Sequence, residues 1–146
     1  MQKSILLTLC LLAAAAFPAS AQKKPVVPQG MEQKDAPFSS GILSAGTLYV
    51  SGQMGTDPKT NQIPDDFDAE VKLALDRAGS VLKAAGMDFD NVVSVQVYLT
   101  DVDLFPRMNA VYKTYFKEPR PARATVGVLK LVLPKAHIEI SMTAHK

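Results

Sequence analysis

The spacing of apolar residues changes along this chain, and each change predicts a different element. Between Asp65 and Gly86, apolar residues recur at steps of three and four, the spacing of one face of an α-helix. Pro64 precedes this stretch, acidic residues crowd its first turn, and Gly86 is placed to end it. The pattern predicts one long amphipathic helix with this apolar stripe: Phe67, Val71, Ala74, Leu75, Ala78, Leu82 and Ala85.

Strict alternation of apolar and polar residues predicts the strands. The clearest case runs from residue 92 to 100, where Val93, Val95 and Val97 alternate with polar side chains. Two shorter runs flank a Ser-Ala-Gly turn at residues 44–46, with Gly52 ending the second of them. The predicted strands are Ser40–Leu43, Thr47–Ser51, Val92–Thr100, Ala124–Leu131 and His137–Ala144.

A second helix is predicted between the third and fourth of these strands. Asp103 can cap it, Pro106 is tolerated in its first turn, and it extends to about Phe116. The element order is then β-β-α-β-α-β-β, which predicts an α+β fold with both helices on one face of a mixed sheet. The apolar stripe of this second helix is Leu104, Met108, Val111, Tyr112 and Tyr115.

The first 21 residues form a separate apolar stretch. Lys3 precedes the mostly apolar run Ile5–Phe17, Pro18 ends that run, and Ala19-Ser20-Ala21 supplies the small residues that signal peptidase accepts. We expect residues 1–21 to be a signal peptide cleaved after Ala21, and the mature protein to be periplasmic or secreted. A buried helix or membrane anchor is the alternative, although the run is short for spanning a bilayer.

Removing this leader changes what the composition implies. The chain has 146 residues with 16 Lys+Arg and 14 Asp+Glu, so loss of Lys3 leaves 15 minus 14, a net charge of +1. Such a balance gives no electrostatic footprint for nucleic acid or an anionic membrane. The single cysteine, Cys10, leaves with the leader, which excludes a disulfide, a thiol nucleophile and a cysteine-based zinc site. We expect an extended segment over residues 22–35, one domain over 36–146, and neither metal nor cofactor.

Few residues of the domain have the chemistry of a catalytic site. His137 and His145 are the only histidines, too few for an obvious triad or metal site. Arg123 lies where a proline-rich loop enters a strand, and an arginine there can bind a carboxylate through two parallel hydrogen bonds. Glu139 alternates with apolar residues on a strand, and a carboxylate on that polar face can orient a water molecule. Alternatively, both are ordinary solvated side chains.

Six short motifs follow one another along the domain: Ala36-Pro37-Phe38-Ser39, Val50-Ser51-Gly52-Gln53, Ala84-Ala85-Gly86, Asn109-Ala110-Val111-Tyr112, Pro121-Ala122-Arg123-Ala124-Thr125-Val126 and Ile138-Glu139-Ile140. In order and spacing they resemble the RidA/YjgF family of reactive intermediate imine/enamine deaminases, over about residues 36–144. The resemblance implies a chorismate-mutase-like α+β subunit, a homotrimer, and three pockets at the subunit interfaces. It also implies hydrolysis of short-lived 2-imino or 2-enamino acids to 2-oxo acids and ammonia.

The resemblance implies roles for four residues. Arg123 matches the arginine that binds the substrate carboxylate, and Glu139 matches the acid that positions the attacking water. Asn109 matches a pocket asparagine and Ser51 a pocket serine. From the residues alone, three alternatives stand: Ser51 satisfies a turn, Asn109 faces solvent or caps a neighbouring loop, and Phe38 belongs to the core.

The sequence departs from the family pattern at four positions. Thr125 falls where many members have cysteine, and it is expected to line the pocket through its backbone. Phe38, also expected in the pocket, falls where tyrosine is common, so a phenolic hydroxyl is missing. Ser141 replaces a second glutamate of the last strand, and Val132 stands where proline is frequent. These differences bear on the range of substrates.

Two other functions are weighed against deamination. One is a non-catalytic trimer that binds small carboxylates in the same pockets. The other is a translation-inhibiting ribonuclease, a role reported for some family members, against which the low net charge, the lack of a basic patch and the leader all argue. In each trimeric case we expect the polar face of the strand over residues 92–100, with Ser94, Gln96 and Tyr98, to contact neighbouring subunits.

Overall fold

A computed structural model of the protein describes residues 22–32 and 34–146. The predicted signal peptide, residues 1–21, lies outside the described residues. Two short 3₁₀ turns, Phe89–Asn91 and Val102–Leu104, lie between the longer elements. The α+β fold class is confirmed. In chain order the described elements are β1 (Lys24–Val26), β2 (Gly41–Ser44), β3 (Thr47–Met54), α1 (Phe67–Ala84), β4 (Val92–Leu99), α2 (Phe105–Tyr115), β5 (Ala122–Gly127) and β6 (Ile138–His145).

The strands form one mixed sheet in the order β1-β2-β3-β6-β4-β5. The last strand, β6, lies at the centre, antiparallel to both β3 and β4. Therefore β3 and β4 run parallel to each other, with α1 as their connection, and β5 runs parallel to β4 with α2 as its connection. Antiparallel pairing of β2 and β3 around Ala45 and Gly46, both at positive φ, confirms the predicted hairpin.

The helices lie on one face of this sheet, as predicted, and α1 supplies most of the core. Asp66 caps its first turn by accepting a hydrogen bond from the Ala69 amide at 2.9 Å, which lowers the pKa of the Asp66 carboxyl. Gly86, at φ +66°, ends the helix. The predicted stripe is buried from Phe67 to Leu82. Helix α2 packs beside α1, where the Tyr115 hydroxyl donates to Asp76 at 2.6 Å.

The opposite face of the sheet is not covered by either helix, and we call it the open face. Apolar and polar side chains alternate along β6 between the buried core and this face, as predicted. The aromatic ring of Tyr49 is also exposed there. The open face consists of Tyr49, Ser94, Gln96, Tyr98, Val126, Glu139, Ser141 and Thr143.

Two β-bulges alter the predicted strand pattern. In β3, a bulge between Val50 and Gln53 carries the strand past Gly52, where it was predicted to end. In β4, a bulge between Val92 and Ser94 leaves Val93 52% exposed, so the prediction that it shares one face with Val95 and Val97 is wrong. The cause is the same in both strands, because an extra residue opposite one partner residue breaks the alternation of faces.

Two further boundaries differ from the prediction because of pairing partners. Strand β5 is Ala122–Gly127 and not Ala124–Leu131, since β4, its one partner in the described sheet, ends at Leu99. Beyond it Leu129 is almost fully exposed. Asp101, not Asp103, accepts the capping hydrogen bond before α2, from the Asp103 amide at 2.9 Å. The extended segment 22–35 also contributes β1, which the pattern did not predict, because pairing with β2 stabilises it.

A buried carboxylate links α1 to the start of β6. Glu70 is an acidic residue, yet it lies in register with the apolar stripe of α1 and has 0% relative exposure. Its Oε1 accepts hydrogen bonds from the amides of His137 at 2.7 Å and Ile138 at 3.2 Å, and its Oε2 lies 2.9 Å from His137 Nδ1. Gly55 packs directly on the backbone of Glu70, leaving no room for a side chain. These contacts fix the backbone immediately before Glu139.

Candidate active site

Arg123 is held on the helix-covered side of the edge strand β5. Its Nη2 donates to Asn109 Oδ1 at 2.7 Å, and its guanidinium lies 4.5 Å from the ring centroid of Tyr112. Phe105 lies on the guanidinium at 5.6 Å. Asn109, Tyr112 and Phe105 all belong to α2, so the helix orients the arginine. Asn109 therefore contacts Arg123 while staying partly exposed, and its role in a substrate pocket stays a prediction.

The surroundings of Arg123 keep it available for an anion. Burial raises the pKa of the Tyr112 phenol, so this neighbour stays neutral at ordinary pH, while the charge of Arg123 opposes that shift. Thr125 lies two residues along the same strand, on the same face, and its buried Oγ1 has no hydrogen-bond partner among the described residues. Arg123 also donates through Nη1 to Met108 Sδ at 4.0 Å, and a half-buried arginine with these two acceptors retains further N–H donors for a ligand.

Glu139 lies on the open face, in register with Tyr98 of β4 and Met54 of β3. Its carboxylate packs directly against Gly52, in the bulge of β3, so closely that a Cβ at Gly52 would overlap a carboxylate oxygen. Ser51 is held beside this contact, because its hydroxyl donates to the Ser40 carbonyl at 3.0 Å. Gln53 Nε2 donates in turn to the Ser51 hydroxyl oxygen at 3.0 Å. The β3 bulge therefore brings Ser51, Gly52 and Glu139 together.

A cavity of about 540 Å³ adjoins the β3 bulge, where Ser51 and Gly52 lie beside Glu139. Ser51 and Gly52 line it, together with Phe38, whose ring is 62% exposed. Arg77 of α1 also lines it. Neither Arg77 nor Glu70 is among the residues that the sequence pattern singled out. The available signal was a charged residue at helical spacing from the apolar stripe, since Arg77 is three residues after Ala74 and Glu70 three after Phe67.

The predicted site residues thus form two groups that one chain does not bring together. Arg123 is in register with Val95, whose side chain is in the core under the helices. Glu139 is in register with Tyr98, whose side chain is on the open face. Paired residues of neighbouring strands point to the same face, so the arginine and the acid lie on opposite faces of the sheet. Ser141 lies on the open face with Glu139, and Val132 is exposed in the loop before β6.

Among residues 22–32 and 34–146, no three His, Cys, Asp or Glu side chains are grouped closely enough to hold a metal ion. Within the same part of the chain, neither helix has the length and apolar character needed to cross a bilayer.

The fold and these residues define a small α+β domain with a half-buried arginine held by α2 and a carboxylate placed against a glycine bulge. A family model described as endoribonuclease L-PSP matches residues 31–146. Two curated mammalian proteins, each named 2-iminobutanoate/2-iminopropanoate deaminase, are similar in sequence. The rat protein is 46% identical over 109 residues, covering 73% of this chain and 78% of the rat protein. The human protein is 46% identical over 110 residues, covering 74% of this chain and 79% of its own length.

A solved structure agrees with these sequence matches. Escherichia coli TdcF, crystallised with bound serine, superposes with a TM-score of 0.78 at 28% identity, covering 85% of this chain and 99% of TdcF. The chain therefore belongs to the RidA/YjgF family, to which the endoribonuclease L-PSP model corresponds.

Proposed function

We propose that this protein hydrolyses 2-imino and 2-enamino acids to 2-oxo acids and ammonia. The observation that carries the proposal is the presentation of Arg123 by Asn109 and the rings of α2, together with a carboxylate seated on the β3 bulge. The deaminase names of relatives at 46% identity support the same chemistry. The serine bound to TdcF, a small carboxylate, fits a pocket of this kind.

The reaction asks for positioning and proton transfer. Two N–H donors of Arg123 hold the substrate carboxylate, which fixes the adjacent imine carbon. Glu139 orients a water molecule and takes one of its protons as the water oxygen bonds to that carbon. Glu139 passes that proton to the imine nitrogen, which gives a tetrahedral intermediate with a hydroxyl and an amino group. The hydroxyl proton then moves to the same nitrogen as the carbon–nitrogen bond breaks, so ammonia leaves and the carbon–oxygen double bond forms. An enamino acid first takes a proton on carbon to give the imine.

The opposite placement of Arg123 and Glu139 supports a site shared between subunits. In a homotrimer, Arg123 of one subunit can meet the Glu139, Gly52 and Ser51 group of its neighbour. The open face supplies the contact surface, since it leaves Tyr49 and Val126 about half exposed among polar side chains. Burying them in an assembly would also stabilise a domain of this size.

Replacing Arg123 by lysine tests the carboxylate contact. Lysine keeps the charge but loses the planar fork, so kcat/KM for 2-iminopropionate should fall roughly tenfold to 150-fold, the equivalent of one charge-assisted hydrogen bond. The substrate is generated in situ by an amino acid oxidase, and release of pyruvate and ammonia is measured. Lys113→Arg, at an exposed position of α2, is the control. If Arg123→Lys turned over the substrate at the wild-type rate, the proposal that Arg123 binds the substrate carboxylate would be wrong.

Mixing two inactive variants tests the shared site. Light scattering at micromolar concentration should give the mass of a trimer. Arg123→Ala and Glu139→Gln, co-expressed in equal amounts, should recover about a quarter of wild-type activity, because about three quarters of the trimers are mixed and each mixed trimer has one intact site of its three. A monomer mass, or activity no higher than that of the separate variants, would contradict the shared site.

A non-catalytic carboxylate-binding trimer is the alternative that the same residues allow. It predicts no turnover by the wild type, together with 2-oxo acid binding that Arg123→Ala abolishes. Calorimetry with pyruvate, run beside the deaminase assay, separates the two functions.

We further propose that the protein is exported after cleavage of residues 1–21. The support is the charged start, the apolar run and the Ala19-Ser20-Ala21 end of that segment. N-terminal sequencing of the protein from the native cell should begin at Gln22. A cytosolic protein that retains the leader would contradict export and leave the proposed chemistry unaffected.

A further inference from the structure

Arg77 is a cation without an anionic partner in the described chain. It lies on α1, and its side chain is partly buried. Its Nε is buried without a hydrogen-bond partner, and none of the ion pairs among residues 22–32 and 34–146 includes it. Desolvation lowers the pKa of its guanidinium, although an arginine remains charged at any ordinary pH. Such a group is stabilised when an anion binds to it.

The cavity that Arg77 faces is the one beside the reaction centre. Ser51 and Gly52 form another part of its wall, and Gly52 is the residue on which the Glu139 carboxylate rests. The volume of about 540 Å³ exceeds what a three-carbon imino acid needs. Glu139 itself is not among the residues that line this cavity, so a substrate whose imine carbon lies at Glu139 would have to extend its side chain past Gly52, which touches both, to reach Arg77.

We infer that Arg77 binds a second carboxylate, and that the preferred substrates are 2-imino dicarboxylic acids of four or five carbons. The inference rests on the proposed deaminase function. A carboxylate suits the planar guanidinium, which can donate two parallel hydrogen bonds to it. A single negative charge also suits the cavity, since Asp35 lies in its wall and would repel a doubly charged phosphate. Neutral hydroxyls of Ser39, Ser40 and Thr56 complete the polar lining.

Comparing two substrates tests this assignment. Glutamate oxidase supplies 2-iminoglutarate and an L-amino acid oxidase supplies 2-iminopropionate, and kcat/KM is measured for each with the full-length mature protein. The wild type should prefer 2-iminoglutarate. In Arg77→Gln, the ratio of the two kcat/KM values should fall roughly tenfold to 150-fold. Arg77→Lys, which keeps the charge without the fork, should show a smaller fall. Lys83→Gln, which removes an exposed cation from the same helix, should leave the ratio unchanged.

The outcomes separate this inference from the proposed function. Turnover of 2-iminopropionate with no preference for 2-iminoglutarate would overturn the second carboxylate site alone. An equal loss on both substrates in folded Arg77→Gln and Arg77→Lys would also overturn it, because Arg77 would then act on a group that both substrates share. If the wild type deaminates neither substrate, the proposed function fails and calorimetry decides the inference. Tighter binding of 2-oxoglutarate than of pyruvate, lost in Arg77→Gln, supports it, and equal binding overturns it.

Discussion

Replacing Glu139 by glutamine should lower kcat for 2-iminopropionate roughly 10²–10⁴-fold, the usual contribution of a general acid–base group. Glutamine keeps the size of the side chain but cannot take the proton of the attacking water. Binding of the substrate carboxylate by Arg123 should largely survive, so pyruvate should bind Glu139→Gln with nearly the wild-type Kd. The measurement combines steady-state kinetics with calorimetry on the same preparation.

Two further variants make the Glu139 result specific. Glu118→Gln makes the same chemical change in an exposed loop, where Glu118 pairs with Arg120, and should leave kcat unchanged. Gly52→Ala should displace the Glu139 carboxylate without removing it, because the new methyl group occupies its place. Misplacing a reacting group by about 1 Å costs about 10²-fold in rate, so kcat of Gly52→Ala should fall by about that factor. Wild-type turnover in Glu139→Gln would mean that the acid is a solvated strand residue and that the mechanism is wrong.

Replacing Glu70 by alanine should lower the free energy of unfolding by about 2–6 kcal/mol. The substitution leaves the amides of His137 and Ile138 without their acceptor, and each buried unpaired donor costs about 1–3 kcal/mol. Urea denaturation at one fixed protein concentration measures the change, since assembly would otherwise shift the midpoint.

Controls separate the backbone contacts of Glu70 from its contact with the imidazole. His137→Ala keeps both backbone N–H hydrogen bonds to Glu70 Oε1 and unpairs only Oε2, so it should cost about 1–3 kcal/mol, less than Glu70→Ala. Glu118→Ala, at a side chain that is 72% exposed, should cost at most about 1 kcal/mol. If Glu70→Ala unfolds at the wild-type urea concentration, the buried carboxylate does not stabilise the connection between α1 and β6.

Local pattern was enough to predict elements whose stability comes from one continuous face. The stripe of α1 was correct from Phe67 to Leu82, because a helix that packs on a sheet needs apolar residues at helical spacing. Alternation along β6 was correct because a central strand with one covered face needs it. The hairpin at Ala45 and Gly46 was also local, since its turn requires positive φ at neighbouring positions.

Errors occurred where a partner distant in sequence decided the outcome. The bulges at Gly52 and Val93 depend on register with β6, which is more than 40 residues away in the chain. The end of β5 depends on where β4 stops, and β1 exists because β2 offers it an edge. Hydrogen bonds between strands do not depend on side-chain identity, so the residues of one strand carry little information about them.

By itself, the sequence determined the fold class, both helices, the central strands and the family resemblance, because each depends on residue types at short or fixed spacing. Arg123 and Glu139 were among the residues it identified. Tertiary structure alone decided that these two lie on opposite faces of the sheet and that the Glu139 carboxylate packs against Gly52. It also decided that Arg77 and Gly52 line one cavity. Those facts depend on strand order and on how α1 and α2 pack. Side chains far apart in the sequence become neighbours, or are separated by the sheet, only once the chain has folded.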